Sequence, residues 1–375
     1  MSDARYDFQA GMDGIAAWTE RLCGIPGLSG SEDPVSAVIA DELRPLAADQ
    51  HVDALGNLTV TVAGTDAGAP KIMVFAHTDQ LGLVVRRIEP DGFLRVERLG
   101  GVPERVLPGL EIVVVNAHGE AVPGVVCTKA HHATPPEEKG VVLTADKLRL
   151  DIGAESATAV RARGIEIGAP VTYRPRFQRL GPHRICGTAL DDRAGCAVLM
   201  DLVRTVVERP VPGTLQAVFT VQEEFNLRGA MVAAQRLKPD AAISIDIMVA
   251  SDTPDLAERG ELRLGGGPVL GLYSFHGRGT LNGTLAHPAL VRQLERVGAT
   301  AGVALQRSAH TGALTDSSYV QLVGEGIPSV DVGYATRYTH APTEMCDLRD
   351  LAGLTAWLHA ALAGMPAGFS FARRA

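Results

Sequence analysis

The sequence has few of the features that mark nucleic-acid-binding and membrane-spanning proteins. Aromatic residues make up only 5% of its 375 residues, so platforms on which bases or sugars could stack are few. Lys and Arg number 35 against 43 Asp and Glu, and no basic run appears, which argues against a nucleic-acid or anionic membrane surface. No apolar stretch approaches the roughly 20 residues that cross a bilayer. We therefore expect a soluble protein with no nucleic-acid or membrane partner.

Cysteine is also scarce and is not patterned for cross-linking. An odd number of cysteines without a C-x-x-C spacing supports neither a disulfide framework nor a structural zinc knuckle. The N-terminal residues lack the positive start and apolar stretch of an export signal. These features predict a cytoplasmic location. The five cysteines are Cys23, Cys127, Cys186, Cys196 and Cys346.

The chain is long enough for two domains, and 46% of its residues are hydrophobic. Residues 72–76 form an apolar run without alternation, as in a strand buried on both faces. Between residues 83 and 176, short β-like runs alternate with Gly/Pro turns, whereas strands and helices alternate on either side. The pattern predicts an α/β domain from residues 1–82 and 177–375, interrupted by a β-rich insertion at 83–176.

Polar residues recur where apolar strands are predicted to end, which is where α/β sheets bind their ligands. Each alone is typical of an ordinary hydrogen-bonded loop His or helix-capping Asp. Together, the histidines and carboxylates provide a mixed N/O ligand set for two metals that share one carboxylate. Such a set suits zinc, cobalt or manganese better than calcium. The residues are His77, Asp191, Glu223, Glu224, Asp246 and His340.

Two local patterns refine this two-metal hypothesis. Asp79 lies two residues beyond His77, so on an extended segment its carboxylate could hold the ring nitrogen that faces away from the metal. Glu223 and Glu224 follow an apolar strand, and adjacent strand residues point in opposite directions. One acid could therefore be a ligand and the other a base, although a solvated strand end would explain the pair equally well.

Motifs spread over most of the chain occur in one collinear order. They are His77-Thr78-Asp79-Gln80-Leu81-Gly82, Leu99-Gly100-Gly101, Arg105-Val106-Leu107-Pro108-Gly109, Asp151-Ile152-Gly153-Ala154, Leu190-Asp191-Asp192-Arg193-Ala194-Gly195, Val221-Gln222-Glu223-Glu224, Leu227-Arg228-Gly229-Ala230, Asp252-Thr253-Pro254 and Thr336-Arg337-Tyr338-Thr339-His340. This series resembles the glutamyl/tetrahedral aminopeptidase family of cytosolic di-metal peptidases, some of which carry the label cellulase. The resemblance implies a phosphorylase/aminopeptidase-like α/β/α catalytic domain with an inserted small β-barrel-like domain. That insertion would serve dimerisation, and members commonly build dodecamers from dimers.

The resemblance also implies a ligand set. His77 and Asp246 would hold one metal, Glu224 and His340 would hold the other, and Asp191 would bridge them. The peptide bond that follows this bridging residue would be cis.

A mechanism for such a site follows from general chemistry. Two cations roughly 3.5 to 4 Å apart lower the pKa of a bridging water and polarise the scissile carbonyl. The resemblance implies that Glu223 is the general base, which would pass the water's proton to the departing amine. Asp79 would orient His77, and Asp192 would either support the metal ligands or have a structural role. Because a free α-amino group could bind the second metal, we expect an aminopeptidase that removes N-terminal residues from peptides.

The chain departs from the family pattern in two loops. Residues 311–316 replace a glycine-rich G-G-T-D element, so part of that loop's backbone freedom is lost. Residues 273–282 also look unlike the family. His276, Arg278 and His310 could line a substrate pocket there or be solvated loop residues.

Three alternatives to a peptidase remain open on the sequence. The altered loops leave room for a metal-dependent amidohydrolase of a non-peptide C–N substrate. A non-catalytic assembly protein is less favoured, because a structural metal site needs no unligated acid such as Glu223. Cellulase activity is least favoured, because sugar clefts use aromatic residues and only two Trp are present.

Overall fold

The computed structural model describes residues 6–276 and 283–374. The helices in these residues are Phe8–Cys23 (α1), Asp33–Leu43 (α2), Ala157–Ala162 (α3), Leu190–Glu208 (α4), Gly229–Leu237 (α5), Pro288–Ala301 (α6), Ser317–Val320 (α7) and Leu348–Ala363 (α8). The strands are Gln50–Val52 (β1), Leu58–Val62 (β2), Lys71–His77 (β3), Gly82–Ile88 (β4), Leu94–Leu99 (β5), Glu111–Val115 (β6), Ala121–Val126 (β7), Leu150–Asp151 (β8), Pro170–Tyr173 (β9), Phe177–Leu180 (β10), Arg184–Gly187 (β11), Thr214–Thr220 (β12), Ala241–Val249 (β13), Val269–Phe275 (β14), Gly283–Leu285 (β15), Gln306–Thr311 (β16), Ser329–Thr336 (β17) and Glu344–Asp347 (β18).

A nine-stranded sheet forms the centre of the α/β part. Its order is β1-β2-β12-β3-β13-β17-β14-β15, and β16 pairs with β14. The four strands β12, β3, β13 and β17 run parallel to one another, so their carboxyl ends meet at one edge of the sheet. This arrangement confirms the predicted α/β class and places the functional residues at one edge.

Helices cover both faces of this sheet, as expected from the unbroken apolar run of β3. Ile72, Val74 and Ala76 pack into a core that includes α1, α4, α6 and α8. Met73 and Phe75 face the opposite way, toward α5 and α7. The α/β/α layering is therefore built from side chains of one strand that point alternately into two cores.

Six strands between the two parts of the sheet form a closed barrel. Their order is β4-β5-β8-β7-β6-β9, and the barrel has its own core of residues such as Val85, Val96 and Val114. The barrel begins at Gly82, only five residues after the end of β3, so it lies beside the carboxyl edge of the sheet. The predicted domain boundaries, 1–82 with 177–375 and 83–176, stay a prediction.

Several elements differ from the sequence-based expectation. The sequence pattern predicts a first helix near residues 14–22. Helix α1 begins earlier, at Phe8, because the Asp7 side chain accepts hydrogen bonds from the amides of Gln9 and Ala10 and caps the first turn. Strands β14, β16 and β18 were not predicted from the sequence.

Two further features bear on the predicted location. No helix in residues 6–276 and 283–374 combines the length and the apolar character that a membrane span requires. All five cysteines are free thiols. The cytoplasmic location stays a prediction.

The central helix α4 generates a stability prediction. Leu199 is fully buried in the main core, so Leu199→Ala should lower the free energy of unfolding by about 2–5 kcal/mol through lost burial and a cavity. Leu322, which is 54% exposed, provides the matched control, and Leu322→Ala should leave the unfolding midpoint nearly unchanged. Chemical denaturation followed by circular dichroism measures both. Equal midpoints for the two variants would contradict the central place of α4 in the core.

Candidate metal centre

His77 and Asp246 come from neighbouring parallel strands. His77 is the last residue of β3, as predicted. Asp246, however, was predicted to end its strand, and this was wrong. β13 continues through Val249, because it keeps pairing with β17 as far as Thr336 after β3 has ended. The Asp246 side chain still joins the site, since its strand borders the end of β3.

The first group of possible ligands lies at this point. One oxygen or nitrogen atom from each of His77, Asp191 and Asp246 lies within 4.8 Å of the others. The His77 Nε2 atom is 3.0 Å from Asp191 Oδ1. All three residues are buried.

A second group shares one residue with the first. Ligand atoms of Asp191, Glu224 and His340 also lie within 4.8 Å of one another. The His340 Nε2 atom is 3.6 Å from both Asp191 Oδ2 and Glu224 Oε1. The two oxygens of Asp191 thus face different histidines, and the structure brings all five predicted ligands together around this carboxylate.

The backbone around Asp191 is not helical, although it lies in the first turn of α4. Asp191 and Asp192 depart from helical angles, and the peptide bond between them is cis, as the family resemblance implied. Asp192 belongs to neither ligand group, and its Oδ1 accepts a hydrogen bond of 2.8 Å from the Tyr334 hydroxyl. The predicted structural position of Asp192 fits this contact.

Glu223 and Glu224 do not lie on a strand, contrary to the sequence interpretation. β12 ends at Thr220, and Gln222 adopts a left-handed conformation with φ of 58°. The turn, not strand alternation, directs the two acids differently. Glu224 joins the second group, whereas Glu223 belongs to neither, and its Oε2 lies 3.9 Å from His77 Nε2.

The Asp79 carboxylate holds this turn in place. The amide of Glu223 donates to Asp79 Oδ1 and the amide of Glu224 donates to Asp79 Oδ2, each at 3.0 Å. The Ser29 hydroxyl donates to Oδ2 at 2.6 Å. Sequence reasoning assigned this carboxylate to the His77 ring, and its Oδ1 lies 3.4 Å from His77 Nδ1. The Asp79 carbonyl lies slightly nearer to the same nitrogen, at 3.2 Å.

Two buried residues of the site were missed by sequence reasoning. Ser29 lies in a turn between two helices, and Glu344 lies on the short strand β18. Glu344 accepts hydrogen bonds from the amides of Asp191 at 2.9 Å and His340 at 2.7 Å. The available signal was that Glu344 follows the candidate ligand His340 by four residues. This spacing alone does not show that the Glu344 carboxylate lies beside the amides of Asp191 and His340.

Burial and mutual repulsion disfavour the ionised carboxylates of the site. Burial raises the pKa of Glu223 well above its usual range, and the carboxylates of Asp246 and Glu224 add to the effect. Burial together with Asp191 also raises the pKa of Asp246 well above its usual range. Burial raises the pKa of Glu224 to about 7. Positive charge must enter the site if these groups are to ionise together.

The histidines show the complementary effect. Burial would lower the pKa of His77, but its hydrogen bonds to Asp191 and Asp79 outweigh burial and raise that pKa well above its usual value. Burial likewise opposes protonation of His340, yet the charges of Glu224 and Asp191 raise its pKa to about 9. The carboxylates therefore attract any available cation. Such a mixed oxygen and nitrogen set fits divalent ions that accept both ligand types.

A cavity of about 650 Å³ opens onto both ligand groups. His276 and His310 line it, while Arg278, the third predicted pocket residue, lies outside the described residues. Among the described residues that line the cavity there is no Lys or Arg, and no Trp, Tyr or Phe. Its size suits a small ligand or the end of a chain.

Comparisons with known proteins agree on one family. A family model for M42 glutamyl aminopeptidase matches residues 56–356. A lysyl aminopeptidase from Pyrococcus furiosus is 31% identical over 338 residues, covering 88% of this chain and 92% of the relative. The solved structure of an aminopeptidase from Desulfurococcus kamchatkensis has a TM-score of 0.88 and 32% identity, covering 94% of this chain and 95% of that one. The TET1 peptidase of Pyrococcus horikoshii, which can assemble into a tetrahedron or a large octahedral shell, has a TM-score of 0.82 and 27% identity, covering 94% of this chain and 100% of that one. The chain therefore belongs to the M42 glutamyl aminopeptidase family.

Proposed function

We propose that this hydrolytic aminopeptidase removes N-terminal residues from peptides at a centre of two divalent metal ions, with Glu223 as the general base. The observation that carries the proposal is the pair of ligand groups that share Asp191. A buried acid outside both groups lies beside them, which is the arrangement that metal-assisted hydrolysis needs.

The ligand roles follow from the two groups. His77 and Asp246 would hold one ion, Glu224 and His340 would hold the other, and Asp191 would contact both. The family is metal-dependent, which supports this assignment. Two ions bound here would lower the pKa of a water and polarise the scissile carbonyl. Zinc, cobalt and manganese are the proposed ions, because each accepts both imidazole and carboxylate ligands.

Glu223 is the proposed base because its carboxylate is buried, free of both ligand groups and fixed in position by its backbone. The Asp79 carboxylate accepts its amide at 3.0 Å, so the turn that carries the base cannot shift without breaking a buried charge-assisted hydrogen bond. A desolvated carboxylate is a stronger base than one in water. Glu223 would take the proton from the attacking water and deliver it to the departing amine.

The composition of the cavity supports a peptide N-terminus as the substrate. Its lining includes Glu223, Glu224, Asp191 and Asp246, and no Lys or Arg occurs among its described lining residues. This acidic lining suits an ammonium group. A sugar substrate is less well supported, because no aromatic residue occurs among that described lining and Trp357 is fully buried in the main core.

Removal of metal should abolish activity without unfolding the protein. Treatment with a chelator is expected to eliminate hydrolysis of aminoacyl-anilides, because the water and the carbonyl lose their activation. Circular dichroism should show that the fold is retained, and added zinc, cobalt or manganese should restore activity. Full activity in protein shown to be metal-free by elemental analysis would contradict the proposal.

Substitution of the base should separate catalysis from metal binding. Glu223→Gln keeps the size of the side chain but cannot accept the proton, so turnover should fall about 10²- to 10⁴-fold while metal content stays at the native value. The exposed Glu258 serves as control, and Glu258→Gln should retain native activity. Activity should also require a free amine, so N-acetylated versions of the same anilides should not be cleaved.

Two outcomes of this experiment would count against the proposal. Comparable turnover by Glu223→Gln would exclude Glu223 as the base. Failure on every N-terminal substrate, together with metal-dependent cleavage of an unrelated amide, would favour a non-peptide C–N substrate.

We also propose that the chain forms a closed homo-oligomer larger than a dimer, with a dodecamer built from dimers through the barrel β4–β9 as the expected form. The support is the similarity to the TET1 peptidase that assembles into a tetrahedron or an octahedral shell. Each subunit has a mass of 39.5 kDa. Sedimentation velocity of the full chain should give a single species whose mass is well above that of two subunits. A stable monomer or dimer at micromolar concentration would contradict it.

A further inference from the structure

The two histidines of the site are held in different ways. The Nδ1 atom of His77 faces the carbonyl of Asp79, two residues along the same segment. The Nδ1 atom of His340 faces the carbonyl of Gly101, which follows barrel strand β5, at 3.1 Å. One ring is therefore oriented from within the α/β part, and the other is oriented by the barrel.

The Gly101 contact decides which nitrogen of His340 is available to a ligand. A carbonyl oxygen can only accept, so Nδ1 must carry the proton and donate it. The lone pair then lies on Nε2, which is the atom that faces Asp191 and Glu224 at 3.6 Å. An acceptor of this kind fixes the tautomer and the ring plane of a metal-binding histidine.

The close approach of the ring requires a glycine at this position. A Cβ atom on Gly101 would lie 2.7 Å from Nδ1 and 2.8 Å from Cε1 of His340, nearer than real side chains come. The backbone of Gly101 lies outside the left-handed region, so alanine is acceptable there in all respects except this contact. A methyl group at residue 101 would therefore displace either the His340 ring or the loop that faces it.

Two further contacts hold the backbone of His340. The hydroxyl of Tyr173, on the last barrel strand β9, donates to the His340 carbonyl at 3.3 Å. Glu344 accepts the His340 amide at 2.7 Å and the Asp191 amide at 2.9 Å. The barrel thus contacts both the ring and the main chain of this histidine.

We propose that Gly101 is a positioning residue for His340, and that the barrel thereby sets the affinity of the second metal position without affecting the first. The inference rests on the proposed two-metal function. Its consequence is that a displacement of the barrel would change occupancy of the position formed by Asp191, Glu224 and His340, while the position at His77 and Asp246 would stay intact.

Titration of metal-free full-length protein with Co²⁺ tests this inference. Isothermal calorimetry should resolve two ions in the native chain, and the visible absorption of each Co²⁺ reports its ligand geometry. In Gly101→Ala the first ion should bind with native affinity, and the second should bind about 10- to 100-fold more weakly with an altered absorption band. Gly140, in the same insertion, has an ordinary backbone and no atom within 4 Å of the place that a Cβ would take, so Gly140→Ala should match the native protein in both steps.

The outcomes distinguish this inference from the proposed function. If the native chain binds fewer than two Co²⁺ ions, the proposed function fails, and this inference fails with it. If the native chain binds two and Gly101→Ala binds both with native affinity, or loses both equally, only the inference is overturned. If Gly101→Ala shows no cooperative thermal transition, Tyr173→Phe, which removes one hydroxyl, replaces it. In that variant the second Co²⁺ ion should bind more weakly while the first binds with native affinity. Native affinity for the second ion would overturn the inference.

Discussion

The site depends on the concentration of negative charge in a buried place. Asp191, Glu223, Glu224 and Asp246 lie beside one cavity, where burial and mutual repulsion oppose the ionisation of Glu223 and Asp246. No Lys or Arg in the described lining offsets that charge. Two divalent ions would offset it, since a cation among such groups reverses the preference for protonation. The surrounding hydrogen bonds therefore hold carboxylates in an arrangement that is favourable only when positive charge is present.

Most of this preorganisation comes from backbone amides. Asp79 accepts hydrogen bonds from the amides of Glu223 and Glu224, and Glu344 accepts hydrogen bonds from the amides of Asp191 and His340. Each of these two buried carboxylates thus ties together segments that are distant in the chain. Because hydrogen bonds in a low-dielectric interior are strong, these contacts hold the turns that carry Asp191, Glu224 and His340 in place.

The sequence was sufficient to predict the α/β class, the β-rich middle and the residues that gather at the sheet edge. Parallel strands place their carboxyl ends together, so His77 and the acids after β12 could be recognised from local patterns. Local patterns did not predict that β13 continues past Asp246, because pairing with a partner strand sets the length of β13. They also did not predict the turn that replaces a strand at Glu223. The contact between Gly101 and His340 joins residues 239 positions apart, and no local pattern contains it.

Anomalous X-ray diffraction from zinc-loaded crystals, collected on both sides of the zinc absorption edge, tests the proposed two-metal centre most directly. Two anomalous peaks are expected, one beside His77 and Asp246 and one beside Glu224 and His340, with Asp191 between them. A single peak at full zinc loading, or peaks away from these five residues, would contradict the two-metal centre.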